Sequence, residues 1–488
     1  MLRIRPVLYL TGILMLPVGA AMLIPAAADL LAGEPSSLAF AGTGAATAFV
    51  GVALALACRS GTLAGDFGRN HDPRQVLALI TLWWLLAIVL AALPLYFADQ
   101  RINYTDAFFE AASGLTTTGA SVFAGLDDRP PGVLLWRAML QWFGGLGIVM
   151  MALVMLPFRE IGGMEVIRID QYNLSGGRKL SDARLALLLV RIYLILTAVW
   201  VVLLRIAGMD WFDALCHAMT TIATGGYSTR DGSVGAWHSP AIETVVILGM
   251  LAASLPFIGY RQIAQGNWRQ FAGNPEVGAF FAVVAAAVGV VMLWLWLGTG
   301  TGPFDALRRS AFNVISVLTG TGYATEDFSG WGGGTTALLF LLMFVGGCSG
   351  STTGGLRIFR IQVMLALVAA QLRKVSQPRL VSTPRLAGKP ISEDYLRPVL
   401  SIAALFLVTV TVLAGFLSVL GLDRLTSLSA AASAVAIVGP GLGPIVGPGG
   451  SYAPLPDAAK WALSVGMILG RLEFLTALVM FAPGFWRR

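Results

Sequence analysis

Ser113-Gly114-Leu115-Thr116-Thr117-Thr118-Gly119-Ala120-Ser121 closes a stretch that begins at Phe108-Phe109-Glu110-Ala111-Ala112 and is apolar enough to enter a membrane but too short to cross one. Crossing a ~30 Å hydrocarbon core takes about 20 residues of helix. A ten-residue helix that ends in a Thr/Gly turn instead dips in and stops. The same design recurs three times: Leu215 to Ser228, with Ala223-Thr224-Gly225; Ala311 to Ala324, with Gly320-Thr321-Gly322; and Ala431 to Gly443, with Gly439-Pro440-Gly441. Self-similarity at a regular period marks a repeated unit. Aligned on Gly119, Gly225, Gly322 and Gly441, each unit reads as span, short helix, glycine turn, span.

Around these stretches lie runs that are long enough to cross. The chain has 488 residues, 56% hydrophobic and 12% charged, against roughly 25% charged in a soluble domain, which excludes a soluble enzyme. Pro6 to Ala28, Pro35 to Cys58, Val76 to Ala98, Ala138 to Phe158, Val277 to Phe304, Phe328 to Leu356 and Pro398 to Leu422 qualify, and Leu185 to Leu204, Thr244 to Tyr260 and Trp461 to Phe485 are weaker candidates. The expected fold is therefore an all-α integral membrane protein with ten transmembrane helices. Four helix, pore helix, filter, helix repeats (71–180, 181–272, 273–390, 391–488) stand in pseudo-fourfold symmetry after an N-terminal helix pair (1–70). The first run exceeds the 7–15 apolar residues of a secretory signal and reads as a retained helix. Cys58, Cys216 and Cys348 are an odd number and imply no disulfide framework.

Most of the 33 Lys and Arg residues fall at alternate ends of these runs, including six in 159–191 and eight in 357–397. By the positive-inside rule those segments, and both termini, are cytoplasmic. The opposite face carries Asp99, Asp106, Asp127, Asp128, Asp213, Asp231, Glu326 and Asp327 and attracts cations. The net charge of +7 is explained by topology, and nucleic acid is not an expected partner.

Non-helical backbone at membrane depth survives only where it is buried in protein or lines a watery cavity. Four turns meeting at one axis meet that condition. Rings of carbonyls there replace a cation's hydration shell, and the short helices aim their negative C-terminal ends at the same point. The arrangement suits a monovalent cation such as K⁺.

At these residues the sequence resembles the Trk potassium uptake family, in its TrkH/TrkG type of membrane subunit, and more distantly KtrB and plant HKT transporters. The resemblance is carried by the Ser113–Ser121 string, Trp142-Phe143-Gly144-Gly145-Leu146-Gly147-Ile148, Ile222-Ala223-Thr224-Gly225-Gly226-Tyr227-Ser228-Thr229, Gly346-Gly347-Cys348-Ser349-Gly350-Ser351-Thr352, Gly470-Arg471-Leu472-Glu473 and Pro483-Gly484-Phe485-Trp486. It implies filter positions at Thr117-Thr118-Gly119, Ala223-Thr224-Gly225, Gly320-Thr321-Gly322 and Gly439-Pro440-Gly441. Gly119, where Na⁺-favouring relatives often carry Ser, implies K⁺ over a Na⁺-permeable character. The fourth turn departs from the family in having Ile437-Val438 where Asn is expected.

Phe328 to Leu356 ends in Gly346-Gly347-Cys348-Ser349-Gly350-Ser351-Thr352-Thr353-Gly354-Gly355, a string of poor helix propensity. Such a break must line a cavity. By the resemblance it is the loop that closes the pore below the filter, and Arg471, an ionisable residue inside the last span, projects toward it. From the residues alone, Arg471 also fits an ion pair with a carboxylate of another helix. Gly347-Cys348-Ser349-Gly350 matches the Gly-x-Ser-Gly string of intramembrane serine proteases, but an activated serine needs a nearby base, and His71, His217 and His238 are badly placed. The resemblance further implies a homodimer in a bacterial inner membrane and a cytosolic TrkA-type nucleotide-binding ring as partner. Proton-carrying carboxylate chains are absent from the spans, which points to a channel-like path.

Overall fold

The computed structural model describes residues 4–59, 73–99, 101–155, 182–377, 379, 383–386, 388–391 and 393–482. The connections at 60–72 and 156–181, with the expected repeat boundaries there and His71, lie outside the described residues, as does the Pro483-Gly484-Phe485-Trp486 string.

The described chain is mostly helical, and its strands among the described residues are one short hairpin, Arg385–Leu386 (β1) paired antiparallel with Lys389–Pro390 (β2). The helices are α1 (Ile4–Ala21), α2 (Leu23–Ala32), α3 (Ser37–Ala57), α4 (Pro73–Ala98), α5 (Tyr104–Leu115), α6 (Pro131–Met155), α7 (Asp182–Ala207), α8 (Trp211–Ile222), α9 (Pro240–Ala253), α10 (Gly259–Ala264), α11 (Trp268–Ala272), α12 (Pro275–Thr299), α13 (Pro303–Thr319), α14 (Gly333–Leu342), α15 (Ile358–Ser376), α16 (Glu393–Val419), α17 (Arg424–Ala436), α18 (Asp457–Arg471) and α19 (Leu475–Leu478). Cys58, Cys216 and Cys348 are free.

Among the described residues, seven helical stretches, α1 running on into α2 as one of them, are long and apolar enough to cross a membrane. The three remaining expected spans are shorter helices that break. The helix α9 stops at Ala253 before Ser254-Leu255-Pro256. The helix α14 stops at Leu342, ahead of the glycine string. Beyond α18, which stops at Arg471, Glu473 and Phe474 take positive φ. All three breaks sit on backbone that no lipid could satisfy, so their positions matter for the site.

The N-terminal pair packs by close approach. Gly12 faces the carbonyl of Gly51 and Gly19 that of Gly44, and a methyl added at either would sit within 2.8 Å of that oxygen, as small-residue helix packing requires. The pair is joined to the rest through Asp29, fully buried, which accepts from Ser36 Oγ at 2.6 Å and from the Gly132 backbone N–H at the start of α6. A carboxylate there meets the positive end of a 25-residue helix. Asp29→Ala leaves the hydroxyl and the amide without their acceptor, and we expect a loss of about 1–3 kcal/mol, measured as a lower thermal unfolding midpoint of the solubilised protein with unchanged ion flux.

Candidate functional site: four loops around one cavity

The four short helices α5, α8, α13 and α17 begin alike. Asn103 accepts from the Asp106 N–H at 2.8 Å, Asp210 from Asp213 at 2.7 Å and Asp423 from Thr426 at 3.0 Å, while α13 opens with Pro303 in its first turn. These are strong N-terminal signals. The Asp423 carboxyl is held below the usual carboxylate range by the Thr426 hydroxyl and backbone N–H beside it, of which the N–H donates to it.

Their C-terminal ends coincide more closely. Thr118 N–H donates to Ser113 O at 2.8 Å, Gly225 to Thr220 at 2.8 Å, Thr321 to Ser316 at 3.0 Å and Val438 to Ser433 at 3.1 Å. This six-to-one bond closes a helix when the residue before the donor is left-handed. That residue is Thr117, Thr224, Gly320 or Ile437, and two positions later φ is positive again, at Gly119, Gly226, Gly322 and Gly439. The structural equivalents of Gly119 are therefore Gly226 and Gly439, not Gly225 and Gly441. The glycine-based alignment slipped because the left-handed slot is filled by Thr224 and Ile437. Ala223 becomes the C-cap of α8, Pro440 lines the cavity beyond the loops, and the Gly441 N–H turns back to Val446 O at 2.6 Å.

The four loops form a closed circuit. A Cβ on Gly119 would run into the carbonyl oxygen of Gly225, one on Gly226 into that of Thr321, and one on Gly322 into that of Val438. One on Gly439 would meet that of Thr118, which returns to the first loop. Gly119, Gly226, Gly322 and Pro440 all line one cavity of about 330 Å³. Thr117 Oγ1 is buried with no hydrogen-bond partner among the described residues.

Side chains that sequence reading missed fasten these loops. Glu110, His217 and Asn313 occupy equivalent positions in three of the short helices. Glu110 accepts from the Val122 N–H at 2.9 Å and from Ser121 Oγ. His217 Nδ1 donates to Asp213 O at 2.8 Å, which leaves Nε2 to accept from Ser228 Oγ at 3.0 Å. Asn313 Nδ2 donates to Thr325 Oγ1 at 3.0 Å. Tyr227 reaches back to Glu110 O at 2.9 Å and Tyr323 to His217 O at 3.3 Å, so each tyrosine ties its loop to the preceding helix. The fourth helix has Ala430 at this position, and there Ser433 Oγ and Tyr452 OH both donate to Gly439 O, at 2.8 and 3.0 Å. Arg137, buried, pairs with Glu110 at 2.7 Å and lies over the Tyr227 ring. A polar residue recurring at one offset in three of the four short helices is the signal that would have found the set.

In the loop after α8, the Asp127 hydrogen bond raises the Arg230 guanidinium above its ordinary value.

The string 346–355 is non-helical throughout and wraps the other side of the circuit. Gly346, Gly350 and Gly355 have positive φ. Gly347 N–H donates to Thr353 Oγ1 at 3.1 Å, and Ser351 Oγ and Thr353 Oγ1 lie 2.7 Å apart. Cys348 N–H donates to Ser254 O and Phe257 N–H to Gly350 O, both at 3.0 Å, which pairs the string with the broken end of α9. Ser349 N–H donates to Glu276 Oε1 at 2.5 Å. Thr352 touches the second loop through Thr224 Oγ1 at 3.2 Å, and Gly354 packs on Ala436 and Ile437 beneath the fourth.

Arg471, buried, donates from Nη1 to Thr352 O at 3.0 Å and from Nη2 to Gly144 O at 3.4 Å. It has no carboxylate partner among the ion pairs of the described residues. Glu473 instead serves Arg357 at 3.0 Å and Arg360 at 2.7 Å. A cavity of about 20 Å³, room for one water, separates Thr353 and Gly354 from Arg471 and Glu473.

Ser349 has no histidine among its hydrogen-bond partners in the described residues, and both ring nitrogens of His217 are engaged elsewhere. Among the described residues the protease alternative has no base.

Comparison with known proteins agrees with the helical framework. Residues 67–488 match the family model TrkH, cation transport protein. The chain is similar to the Trk system potassium uptake protein TrkI of Halomonas elongata, 38% identical over 100% of this chain and 98% of that one. It is also similar to TrkH of Escherichia coli, 31% identical over the full length of both. The crystal structure of the potassium transporter TrkH from Vibrio parahaemolyticus superposes with a TM-score of 0.91, covering 100% of each chain at 32% identity. The family is one of transporters rather than enzymes, and the chain belongs to it: it is a member of the TrkH family of cation transport proteins.

Proposed function

We propose that this protein takes up K⁺ across a bacterial cytoplasmic membrane, with K⁺ as its cargo, through a path on the axis of the four loops. The closed circuit of glycines and carbonyls carries the reading, because a cage of backbone oxygens fits a dehydrated monovalent cation. The four repeats at 71–180, 181–272, 273–390 and 391–488 stand around that axis, and ten spanning segments, three of them broken, hold both termini in the cytoplasm. In the register given by the backbone, the filter comprises Thr117–Gly119, Thr224–Gly226, Gly320–Gly322 and Ile437–Gly439. The string Gly346–Gly355 and Arg471 form the gate beneath it. A cytosolic nucleotide-binding ring of the TrkA type moves that string, and the transporter works as a homodimer. The relatives' membership of a Trk system supports a partnered transporter.

The test is cation flux into liposomes. The wild type passes K⁺ in preference to Na⁺, and Gly119→Ser weakens that preference by about tenfold, since a serine at this positive φ costs about 1–2 kcal/mol and its Cβ runs into the Gly225 carbonyl. A wild type that moves no monovalent cation, even with Gly346 to Gly355 shortened, ends the reading.

A further inference from the structure

Resting on that reading, we infer that Gln141 is a positioning residue that sets the cation preference of the path by holding the Gly225 carbonyl in place. Gln141 lies in α6, belongs to the first unit and is fully buried. Its side chain crosses to the second loop, where Nε2 donates to Gly225 O at 2.7 Å and Oε1 accepts from the Tyr227 N–H at 3.0 Å. One planar amide thus spans Gly226, bonding the peptide on each side of it, as a neighbouring strand would. Side-chain and loop surfaces meet so closely that a Cβ on Gly225 would overlap the Gln141 amide.

The clamped oxygen is the same atom that abuts Gly119. The Gly225 carbonyl is therefore held by Gln141 and packed against Gly119, two contacts that restrict its movement. Among the described residues, the equivalent carbonyls of Thr118, Thr321 and Val438 receive no side-chain hydrogen bond, so the second loop alone has a backstop of this kind. Discrimination between K⁺ and the smaller Na⁺ depends on how far the oxygen cage can follow the smaller ion. A cage fixed at one point on its circumference follows less.

The experiment measures the K⁺/Na⁺ flux ratio in liposomes for wild type, Gln141→Leu, Gly119→Ser and the double variant. Gln141→Leu keeps the volume and loses both bonds. Its ratio should fall about tenfold, the scale of one to two buried hydrogen bonds, with K⁺ flux within a few-fold of wild type. In the double variant the two losses should add to less than their product, because a freed carbonyl makes room for the serine. Asp29→Ala, which weakens a distant contact, serves as the stability control and should leave the ratio unchanged. If Gln141→Leu does not fold, Gln141→Met reports the same loss with a more pliable side chain. An unchanged ratio in a folded Gln141 variant, or full multiplicativity with Gly119→Ser, overturns the inference while K⁺ selectivity of the wild type stands. A wild type without selective K⁺ flux instead overturns the functional reading beneath it.

Discussion

Glu473→Ala will cost the protein about 3–5 kcal/mol of stability, the usual penalty for removing one member of a buried ion pair. Here the penalty tends to the upper end, because a single carboxylate answers two guanidinium groups, Arg357 and Arg360, both buried. With Arg471 close by at the same small cavity, the variant loses the carboxylate that lines it. Fluorescence-detected size-exclusion chromatography across a temperature ramp should show a sharply lower melting point. Removing the whole triad as Arg357→Met, Arg360→Met and Glu473→Met should recover most of the loss, since buried charges replaced together by apolar groups are often neutral. If the single variant melts like wild type, the triad is not the anchor of the α15 to α18 junction.

Gly322→Ala will reduce cation flux by tenfold or more. Its φ of 84° costs an alanine about 1–2 kcal/mol, and the new methyl would collide with the Val438 carbonyl and lie 2.8 Å from Pro440 Cδ. Relief requires turning a peptide of the fourth loop. Gly289→Ala, at a position with nothing within 4 Å, is the matched control and should be silent. Equal flux from the two variants in tracer uptake would remove Gly322 from the conduction path.

The sequence announced the apolar runs because charge is so scarce within them, and it announced the broken span because ten consecutive residues from Gly346 include five glycines and four hydroxyl residues. It did not announce that α9 and α18 would break as well. Ser254-Leu255-Pro256 is a modest signal, and Glu473 with Phe474 gives none, since neither residue type favours positive φ. Loop register was misread for a related reason: counting glycines works where glycine fills the left-handed slot, as Gly320 does, and fails where packing forces Thr224 or Ile437 into it. Arg471 was legible as an exceptional residue, but its partners are backbone oxygens of Thr352 and Gly144, and carbonyls leave no trace in a sequence. Gln141, Glu473 and Tyr452 act on residues far along the chain, where pattern alone offers no pairing.

The circuit of loops has a consequence for biogenesis. Its last link joins the beginning of the chain to the end: Tyr452 N–H bonds Ser121 O at 2.9 Å, and Ser451 Oγ donates to the same carbonyl from 330 residues away. Ribosomes deliver the first loop to the membrane long before the fourth exists, and contacts of such separation form late. Every nascent chain must therefore pass through a stage with three units inserted and a gap in the wall, during which the Ser121 carbonyl awaits its donors. Until residue 452 arrives the circuit stays open, so a truncated or stalled product is an unfinished shell around the axis.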